Sequence, residues 1–451
     1  MSTPVSNSNM MNTYAILPRT HKNSKLVLLW ILFTATVPFN FHLAIPNHPY
    51  KILVFVGLLW IVFKLLQCKS LKFGNNFIVG ILLIQASYSL IAAYLQVFIL
   101  GFDFMYINLT IQLVAVLIVY IYIQSLYSIH KVAISSIFVI AFIGVLGVTA
   151  FFLGLAGILK PIGMFPSDNP YYTNFFLTFS NAYYAFGNST IIRIAGFFDE
   201  PGAFAYYITM TLLLNKIYNY SKKIEILLVF VGVFTFSLAF FVSLSLYFLF
   251  FYFSVRNIGS LFLVAALVLS AIGFVVHMKD DNEYAGIIYE LTVRRLHIAQ
   301  GDDVKIVRGD NRSQKFIWSK EAFLQSPLIG HGMSAYSNPN SEFYGKLCCN
   351  ILHPLATDGL IGTFIFYLLF IYWILYIVSR RNIDIVSLGA FMIVFANFFQ
   401  RPGFYGGLYG YFIFIFLVEA TIWRHHNRAV LMKGDKNSLL SRNAETKMVI
   451  Q

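Results

Sequence analysis

The sequence predicts an all-α fold: a polytopic membrane bundle of about 12 transmembrane helices with a large loop at the outer face. Hydrophobic residues make up 58% of the chain, charged residues only 11%, and the mean hydropathy is +0.72. Many apolar runs carry no charge over the width of a bilayer. The runs are continuous rather than alternating, so they predict helices, which satisfy their backbone hydrogen bonds within one segment.

The chain is strongly basic, with a formal net charge of +13. Its Lys and Arg residues lie at the ends of apolar runs and in the tails, where lipid headgroups and membrane orientation account for them. We therefore expect membrane lipid, and no nucleic acid, as a partner. Cys68, Cys348 and Cys349 predict no disulfide framework. No spaced Cys/His set, nucleotide-binding glycine motif or Asp-x-Asp motif predicts a metal or a cofactor.

The chain is predicted to begin with a cytoplasmic tail, 1–25, and to continue with five spans in 26–159. No small-residue cleavage site closes the first apolar run, so we interpret it as an uncleaved span. The five runs are Leu26–Ile45, Ile52–Leu66, Phe77–Leu100, Phe104–Gln124 and Val132–Leu159. The basic residues of the connecting loops lie mainly on one side, namely Lys64, Lys69, Lys72, His130 and Lys131. Because cytoplasmic loops carry the excess of Lys and Arg, the amino terminus is predicted to be cytoplasmic.

Residues 160–200 are predicted to form a periplasmic loop, whose Tyr and Phe residues suit an interfacial helix. Spans 6–9 follow in 201–276. Within them, the run Ile224–Val255 has roughly 30 residues, too many for one simple crossing at 1.5 Å per residue. We divide it into two short spans that turn near Ser237–Ser243, because a single crossing would place the basic tail outside. A re-entrant turn at this point is the alternative.

Residues 277–354 are predicted to form the second and larger periplasmic loop, which contains a helix-compatible piece at Ser313–Leu324. Spans 10–12 follow in 355–423, and a basic cytoplasmic tail, 424–451, ends the chain. The last part of the large loop and the start of span 10 contain four glycines that favour tight turns and close backbone approach: Gly330, Gly332, Gly359 and Gly362.

Arginines at the boundary between the spans and the outer loops are the first candidate functional residues. A guanidinium binds a diphosphate through two hydrogen bonds and stays charged at any relevant pH, which makes Arg193 and Arg312 candidates. Alternatively, Arg193 snorkels or forms a salt bridge, and a nearby acid pairs with Arg312. Three further arginines add positive charge to the outer surface and are weaker binding candidates: Arg294, Arg295 and Arg308.

His353 lies at the outer mouth of span 10, directly before Pro354. An imidazole is the usual base for a sugar hydroxyl near neutral pH, so His353 is a candidate catalytic base. A structural hydrogen-bonding role is the alternative. His331, between two glycines, is interpreted as a turn residue.

Three stretches together resemble the O-antigen polymerase and ligase superfamily, which includes the Wzy-type polymerases. RIAGFFDEPGAFAYY is similar to the Arg, Gly-Phe, acid-Pro pattern of that family. NRSQKFIWSKEAFLQSPLIGHGMSAY resembles its Arg, Trp, Ser-Pro-Leu-x-Gly-x-Gly pattern, and TDGLIGTFIFYLL its span-opening Gly-x-x-Gly. The family usually has a His where this chain has Cys348, and His353 follows five residues later.

The resemblance implies an inverting, metal-independent glycosyltransferase of the bacterial inner membrane. Its donor would be an undecaprenyl-diphosphate-linked oligosaccharide. Arg193 and Arg312 would hold the diphosphate, His353 would remove the proton of the acceptor hydroxyl, and Glu200 of the acid-Pro pattern would contact the substrate. We favour polymerisation of repeat units into O-antigen, capsule or exopolysaccharide, with a chain-length-regulating membrane protein as a further partner. The alternatives are an O-antigen ligase, a lipid-linked oligosaccharide flippase and a non-catalytic scaffold.

Overall fold

The computed structural model describes residues 47–96, 101–158, 201–253, 313–347, 350–380, 383–399 and 410–427. It also describes shorter stretches at 163–164, 174–175, 181–186, 189–196, 198, 270, 273–282, 285–286, 289 and 401–402. The predicted first span, the two predicted cytoplasmic tails except residues 424–427, and most of the ninth span, Leu261–Val276, lie outside these residues. The described part is mostly helical, as the sequence predicts.

All the helices except α8, which lies in the polar stretch, coincide broadly with the apolar runs. The helices are α1 (Asn47–Leu66), α2 (Asn76–Leu95), α3 (Phe104–Leu126), α4 (Ile129–Leu155), α5 (Pro201–Tyr218), α6 (Lys222–Val233), α7 (Leu238–Tyr252), α8 (Ser313–Gln325), α9 (His353–Phe366), α10 (Leu368–Val378), α11 (Ile385–Phe398) and α12 (410–427). By length and composition, α2, α3 and α4 are candidate membrane spans. The pair α9 and α10, bent by 42°, is a fourth if it counts as one span.

Short strands occur where the sequence predicted an interfacial helix, so that prediction is wrong for the described part of 160–200. Strands β1 (Gly163–Met164) and β2 (Asn174–Phe175) pair antiparallel, as do β3 (Asn181–Phe186) and β4 (Ser189–Ile194). In the second pair Phe186 faces Ser189, so a two-residue connection joins the strands. The sequence there is Gly-Asn, which is typical of tight hairpin turns, and β4 contains two consecutive Ile residues that favour strands.

Polar contacts join the start of α4, the end of α5 and α12 at one end of the bundle, which we call the basic end. His130 Nδ1, at the start of α4, lies 2.9 Å from the hydroxyl oxygen of Tyr218 at the end of α5. Arg424 of α12 donates to the Ile217 carbonyl at 2.9 Å. Lys216 lies in the same turn of α5. His130, Lys216 and Arg424, which the sequence assigns to the same side, therefore lie at one end of the bundle.

The opposite end of the bundle contains the end of α2 and the start of α3. Gln96 follows α2, and Asp103 caps α3 by accepting a hydrogen bond from the Met105 amide at 2.9 Å. Both side chains bind residues of the segment 313–347, since Gln96 donates to the Ile329 carbonyl and Asp103 accepts from the Ser334 amide. This segment therefore lies at the end of the bundle away from the basic residues.

The run that the sequence divides into two spans forms an antiparallel helix pair, α6 and α7. The break lies at Phe234–Ser237, at the amino-terminal edge of the predicted turn. The far ends of the two helices meet, because Tyr247 and Tyr252 of α7 both donate to Oε1 of Glu225 in α6. Lys216 lies 3.6 Å from the same carboxylate oxygen and 4.0 Å from the centre of the Tyr252 ring.

The segment 313–347 packs around a small apolar cluster of its own together with α9. The cluster is separate from the main core and consists of Ala322, Ala335, Phe343, Leu347 and Ala356. The predicted helix at Ser313–Leu324 is confirmed as α8. The polar stretch is therefore a folded unit on the end of the bundle rather than an extended connection.

Replacing Glu225 by Gln should lower the free energy of unfolding by about 1–3 kcal/mol, because two tyrosine hydroxyls and the Lys216 ammonium lose their charged acceptor. Thermal unfolding of the purified protein in detergent measures the change. Ile226→Ala is the control, since the neighbouring Ile226 side chain is 69% exposed. Equal shifts in the two variants would contradict the assignment of Glu225 as the group that closes the α6–α7 pair.

Candidate functional site

Helix α9 is interrupted at Gly359. The backbone of this residue has φ 64° and ψ −170°, which is far from helical geometry and is open to glycine almost alone. The interruption divides α9 into a first part that begins at His353 and a second part that ends at Phe366. At such a break the last carbonyls of the first part and the first amides of the second part lose their helical partners.

A loop from the preceding segment, Pro327–Gly332, supplies the missing partners, and we call it the plug loop. On the first side of the break, the His331 amide donates to the Ala356 carbonyl at 2.9 Å. The Gly332 amide donates to the Thr357 carbonyl at 2.8 Å. Both carbonyls belong to the final turn of the first part of α9.

On the second side of the break the direction of the hydrogen bonds is reversed. The Leu360 amide donates to the Pro327 carbonyl at 2.8 Å, and the Ile361 amide donates to the Leu328 carbonyl at 3.2 Å. The plug loop thus accepts from one half of α9 and donates to the other. The Leu360 and Ile361 amides at the start of the second half of α9 are therefore occupied by the plug loop and are not available to bind an anion.

The glycines of the two motifs permit this close contact, as the sequence predicted. A Cβ atom on Gly330 would lie 2.4 Å from the carbonyl oxygen of Thr357, and one on Gly359 would lie 2.3 Å from that of Leu328. A Cβ on Gly362 would lie 2.8 Å from the Tyr88 hydroxyl oxygen. Gly330 and Gly359 therefore serve backbone-to-backbone packing, whereas Gly332 and Gly362 make room for neighbouring side chains.

A buried carboxylate lies directly before the interruption. Asp358 is fully buried and accepts a hydrogen bond from the Tyr106 hydroxyl at 2.6 Å and one from the Thr357 hydroxyl at 3.1 Å. Tyr88 and Tyr367 lie close enough to interact electrostatically with the same carboxylate. Tyrosines from α2, α3 and the α9–α10 junction thus interact with the carboxylate that precedes the break.

His353, the candidate base, is the first residue of α9, and its Nδ1 atom is buried without a hydrogen-bond partner. The turn before it is joined to α8, because the Asn350 amide group donates to the Lys315 carbonyl at 3.2 Å and to the Ser319 hydroxyl at 2.9 Å. The start of α9 and the first turns of α8 are therefore neighbours. Ser313, which opens α8, directly follows Arg312 in the sequence.

His331 lies in the plug loop, which confirms the interpretation as a turn residue. Its Nε2 atom lies 3.0 Å from the Ala322 carbonyl oxygen, and its ring packs on Phe343 with centroids 4.8 Å apart. Since a carbonyl can only accept, Nε2 carries the proton. Burial lowers the pKa of His331 below its ordinary value, against the smaller raising effects of the Ala322 carbonyl and of Glu342. The ring is therefore neutral at pH 7 and serves packing.

Arg193 supports the turn between α6 and α7. Its side chain is 5% exposed, and Nε and Nη2 donate to the carbonyls of Thr235 and Phe236 at 2.9 and 3.0 Å. The amide of Ile194 donates to the Phe234 carbonyl at 3.2 Å. The end of β4 thus satisfies three consecutive carbonyls of an irregular turn, a structural role that the sequence did not indicate. The diphosphate role of Arg193 stays a prediction.

The stretch that follows Arg193 is rich in packed aromatic residues. Phe198 stacks on Tyr207 with ring centroids 4.5 Å apart. The neighbouring Tyr206 is buried, has a hydroxyl without a hydrogen-bond partner, and lies close enough to Tyr367 for electrostatic interaction. Tyr367, at the end of α9, donates to the Pro402 carbonyl at 2.6 Å.

Several predicted site residues lie outside the described residues, namely Arg312, Arg294, Arg295, Arg308 and Glu200, as do Cys348 and Cys349. The sequence missed Gln96, Asp103 and Asp358 as residues of the site. Each is a single polar residue at the end of an apolar run. Ordinary helix caps have the same pattern, so the pattern does not indicate a functional site. Within the described part of the chain, no group of three or more His, Cys, Asp and Glu is arranged to hold a metal ion.

No protein-family model, curated protein or solved structure matches this chain. The resemblance to the O-antigen polymerase and ligase superfamily therefore rests on the three sequence stretches alone.

Replacing Gly359 by Ala should lower the free energy of unfolding by roughly 3 kcal/mol or more, because left-handed strain adds to a clash with the Leu328 carbonyl. Gly345→Ala is the matched control, since Gly345 has φ 70° with nothing within 4 Å of its Cβ position. The control should cost only the left-handed strain, about 1 kcal/mol. Thermal unfolding compares them, and equal losses would show that the plug loop does not press against Gly359.

Proposed function

We propose that this chain polymerises undecaprenyl-diphosphate-linked oligosaccharide repeat units at the outer face of the bacterial inner membrane. The product would be O-antigen, capsular polysaccharide or exopolysaccharide. The reaction is an inverting, metal-independent glycosyl transfer. The observation that carries the proposal is the set of four backbone hydrogen bonds by which the plug loop, part of the second family-like stretch, completes α9, which contains most of the third.

Each stretch contributes in a different way. The second stretch contains the plug loop, which forms four backbone hydrogen bonds with the third stretch at the interruption of α9. The first stretch contains Tyr206, which lies close enough to Tyr367, directly after α9, for electrostatic interaction. A role in packing alone would explain the glycines of these stretches. It does not explain why the Tyr206 hydroxyl and the His353 Nδ1 atom are buried without a hydrogen-bond partner.

In the proposed reaction, the bond between the anomeric carbon and the diphosphate oxygen breaks, and the hydroxyl oxygen of the acceptor sugar bonds to that carbon. His353 removes the proton of the acceptor hydroxyl. Arg312 binds the diphosphate and stabilises the charge that grows on it as it leaves. The link between Asn350 and α8 supports this pairing, because it brings the helix that follows Arg312 to the turn that precedes His353. Arg193 remains a second diphosphate candidate.

We keep the topology that the sequence predicts, with about 12 spans and both termini in the cytoplasm. The basic end of the bundle would face the cytoplasm, which accords with the preference of Lys and Arg for that side. The plug loop and His353 would then face outward, where nucleotide-activated sugars are not available and a lipid-linked donor is needed.

With 12 and 15 residues, α6 and α7 extend only about 18–22 Å. They therefore suit the re-entrant alternative as well as two short spans.

An interrupted helix is also typical of secondary transporters, whose substrate sites lie near the middle of the membrane. Here the interruption neighbours Tyr106, the third residue of α3, and therefore lies close to one end of the bundle. This position favours an interfacial enzyme over a flippase.

Two experiments test the proposal. In a deletion strain, a polymerase predicts single repeat units on the lipopolysaccharide core, whereas a ligase predicts no O-antigen on the core. The purified full-length protein should elongate radiolabelled lipid-linked repeats without any other protein, which a scaffold or a flippase would not do. Absence of elongation under conditions in which the protein remains folded would contradict the proposal.

In the same assay, Arg312→Ala and His353→Gln should each reduce elongation by about 100-fold or more, since each removes electrostatic or acid–base assistance. Arg380→Ala is the matched control, because the exposed Arg380 packs its guanidinium 4.4 Å from the centre of the Tyr376 ring at the end of α10. Arg193→Ala is not diagnostic, because it also removes two hydrogen bonds to the α6–α7 turn. Full activity of both site variants would contradict the assigned roles.

A further inference from the structure

Gln96 has a buried oxygen atom without a partner. The residue is 2% exposed, and its amide nitrogen donates to the Ile329 carbonyl of the plug loop at 3.1 Å, which fixes the orientation of the amide group. Its Oε1 atom is buried and has no hydrogen-bond partner. An unpaired acceptor in such a position is destabilising unless a donor or a cation occupies the space beside it.

The Asp103 carboxylate lies beside this oxygen. It is 2% exposed and accepts two backbone hydrogen bonds, from Met105 to Oδ1 and from Ser334 to Oδ2. Asp103 Oδ2 and Gln96 Oε1 lie 2.7 and 3.1 Å from the position that a Cβ on Gly332 would occupy. Two acceptor oxygens therefore converge on one glycine. Among the ion pairs of the described residues, none involves Asp103.

A buried carboxylate is stable when a positive charge is close to it or when it coordinates a cation. We propose that Asp103 Oδ2 and Gln96 Oε1 bind a small monovalent cation, with sodium as the probe. Hard cations take oxygen ligands, and the single negative charge of this pair matches one positive charge.

Occupation of this site would strengthen the attachment of the plug loop to the bundle. Gln96 and Asp103 lie at the junction of α2 and α3, whereas Gly332 donates to the Thr357 carbonyl at the break in α9. The cation would therefore join three separate segments at one point. This inference goes beyond the proposed function, because cation binding requires no glycosyl transfer and is measured without a sugar substrate.

The test is thermal unfolding of the purified full-length protein in sodium chloride and in choline chloride at equal ionic strength. Sodium should raise the unfolding midpoint by a few degrees in a saturable manner, because a ligand that binds only the folded state stabilises it. Asp103→Asn and Gln96→Leu should each lose the sodium-dependent rise. Asn is as effective as Asp as a helix cap, so the first variant retains the start of α3.

Gln112→Leu is the matched control. Gln112 also has a buried Oε1 without a partner, but it lies in α3, about 13 Å along the helix from Asp103. This variant should retain the sodium effect. Equal midpoints in the two salts, or a sodium effect that persists in Asp103→Asn, would overturn the proposal.

Direct binding of radioactive sodium to the wild-type protein decides the question if the variants do not fold. Saturable binding of about one ion per chain supports the site, as a single carboxylate matches a single monovalent charge. Absence of saturable binding overturns it. Neither result depends on whether the chain transfers sugars.

Discussion

The four backbone hydrogen bonds between the plug loop and α9 are the constraint on which the end of the bundle opposite the basic end depends. A helix interrupted inside a packed bundle leaves carbonyls and amides that are costly to bury unpaired. Here the plug loop pairs with groups on both sides of Gly359. The hydrogen bonds require the two backbones to lie against each other, and glycines at the points of contact make that approach possible.

The surrounding polar residues hold the plug loop in register with the bundle. Gln96 and Asp103 bind it from the α2–α3 junction, and Asn350 ties the turn before α9 to α8. A similar device stabilises the other irregular turn, where Arg193 and the end of β4 satisfy the carbonyls between α6 and α7. In both places irregular backbone inside an apolar bundle is satisfied by polar groups from a distant segment. Such arrangements hold a site in fixed geometry, as the proposed glycosyl transfer between two large substrates would require.

The sequence predicted the elements that depend on local composition. Continuous apolar runs indicated the helices, and the charge bias indicated that Ile224–Val255 turns back on itself. The hairpin of β3 and β4 was not predicted, although Gly-Asn at positions 187–188 is a sequence typical of hairpin turns. The interruption at Gly359 was also missed, because Gly-x-x-Gly within an apolar run is compatible with a continuous helix. The roles of Gln96 and Asp103 depend on partners more than two hundred residues away, which no local pattern contains.

Hydrogen exchange at the break in α9 tests the central claim most directly. The amides of His331, Gly332, Leu360 and Ile361 can be compared with those in the middle of α2, using peptides that cover the plug loop and the break in the native protein. If the plug loop completes α9, these amides will exchange as slowly as those of an intact buried helix. Exchange as rapid as in an exposed loop would contradict the account, because the two halves of α9 would then lack the partners described here.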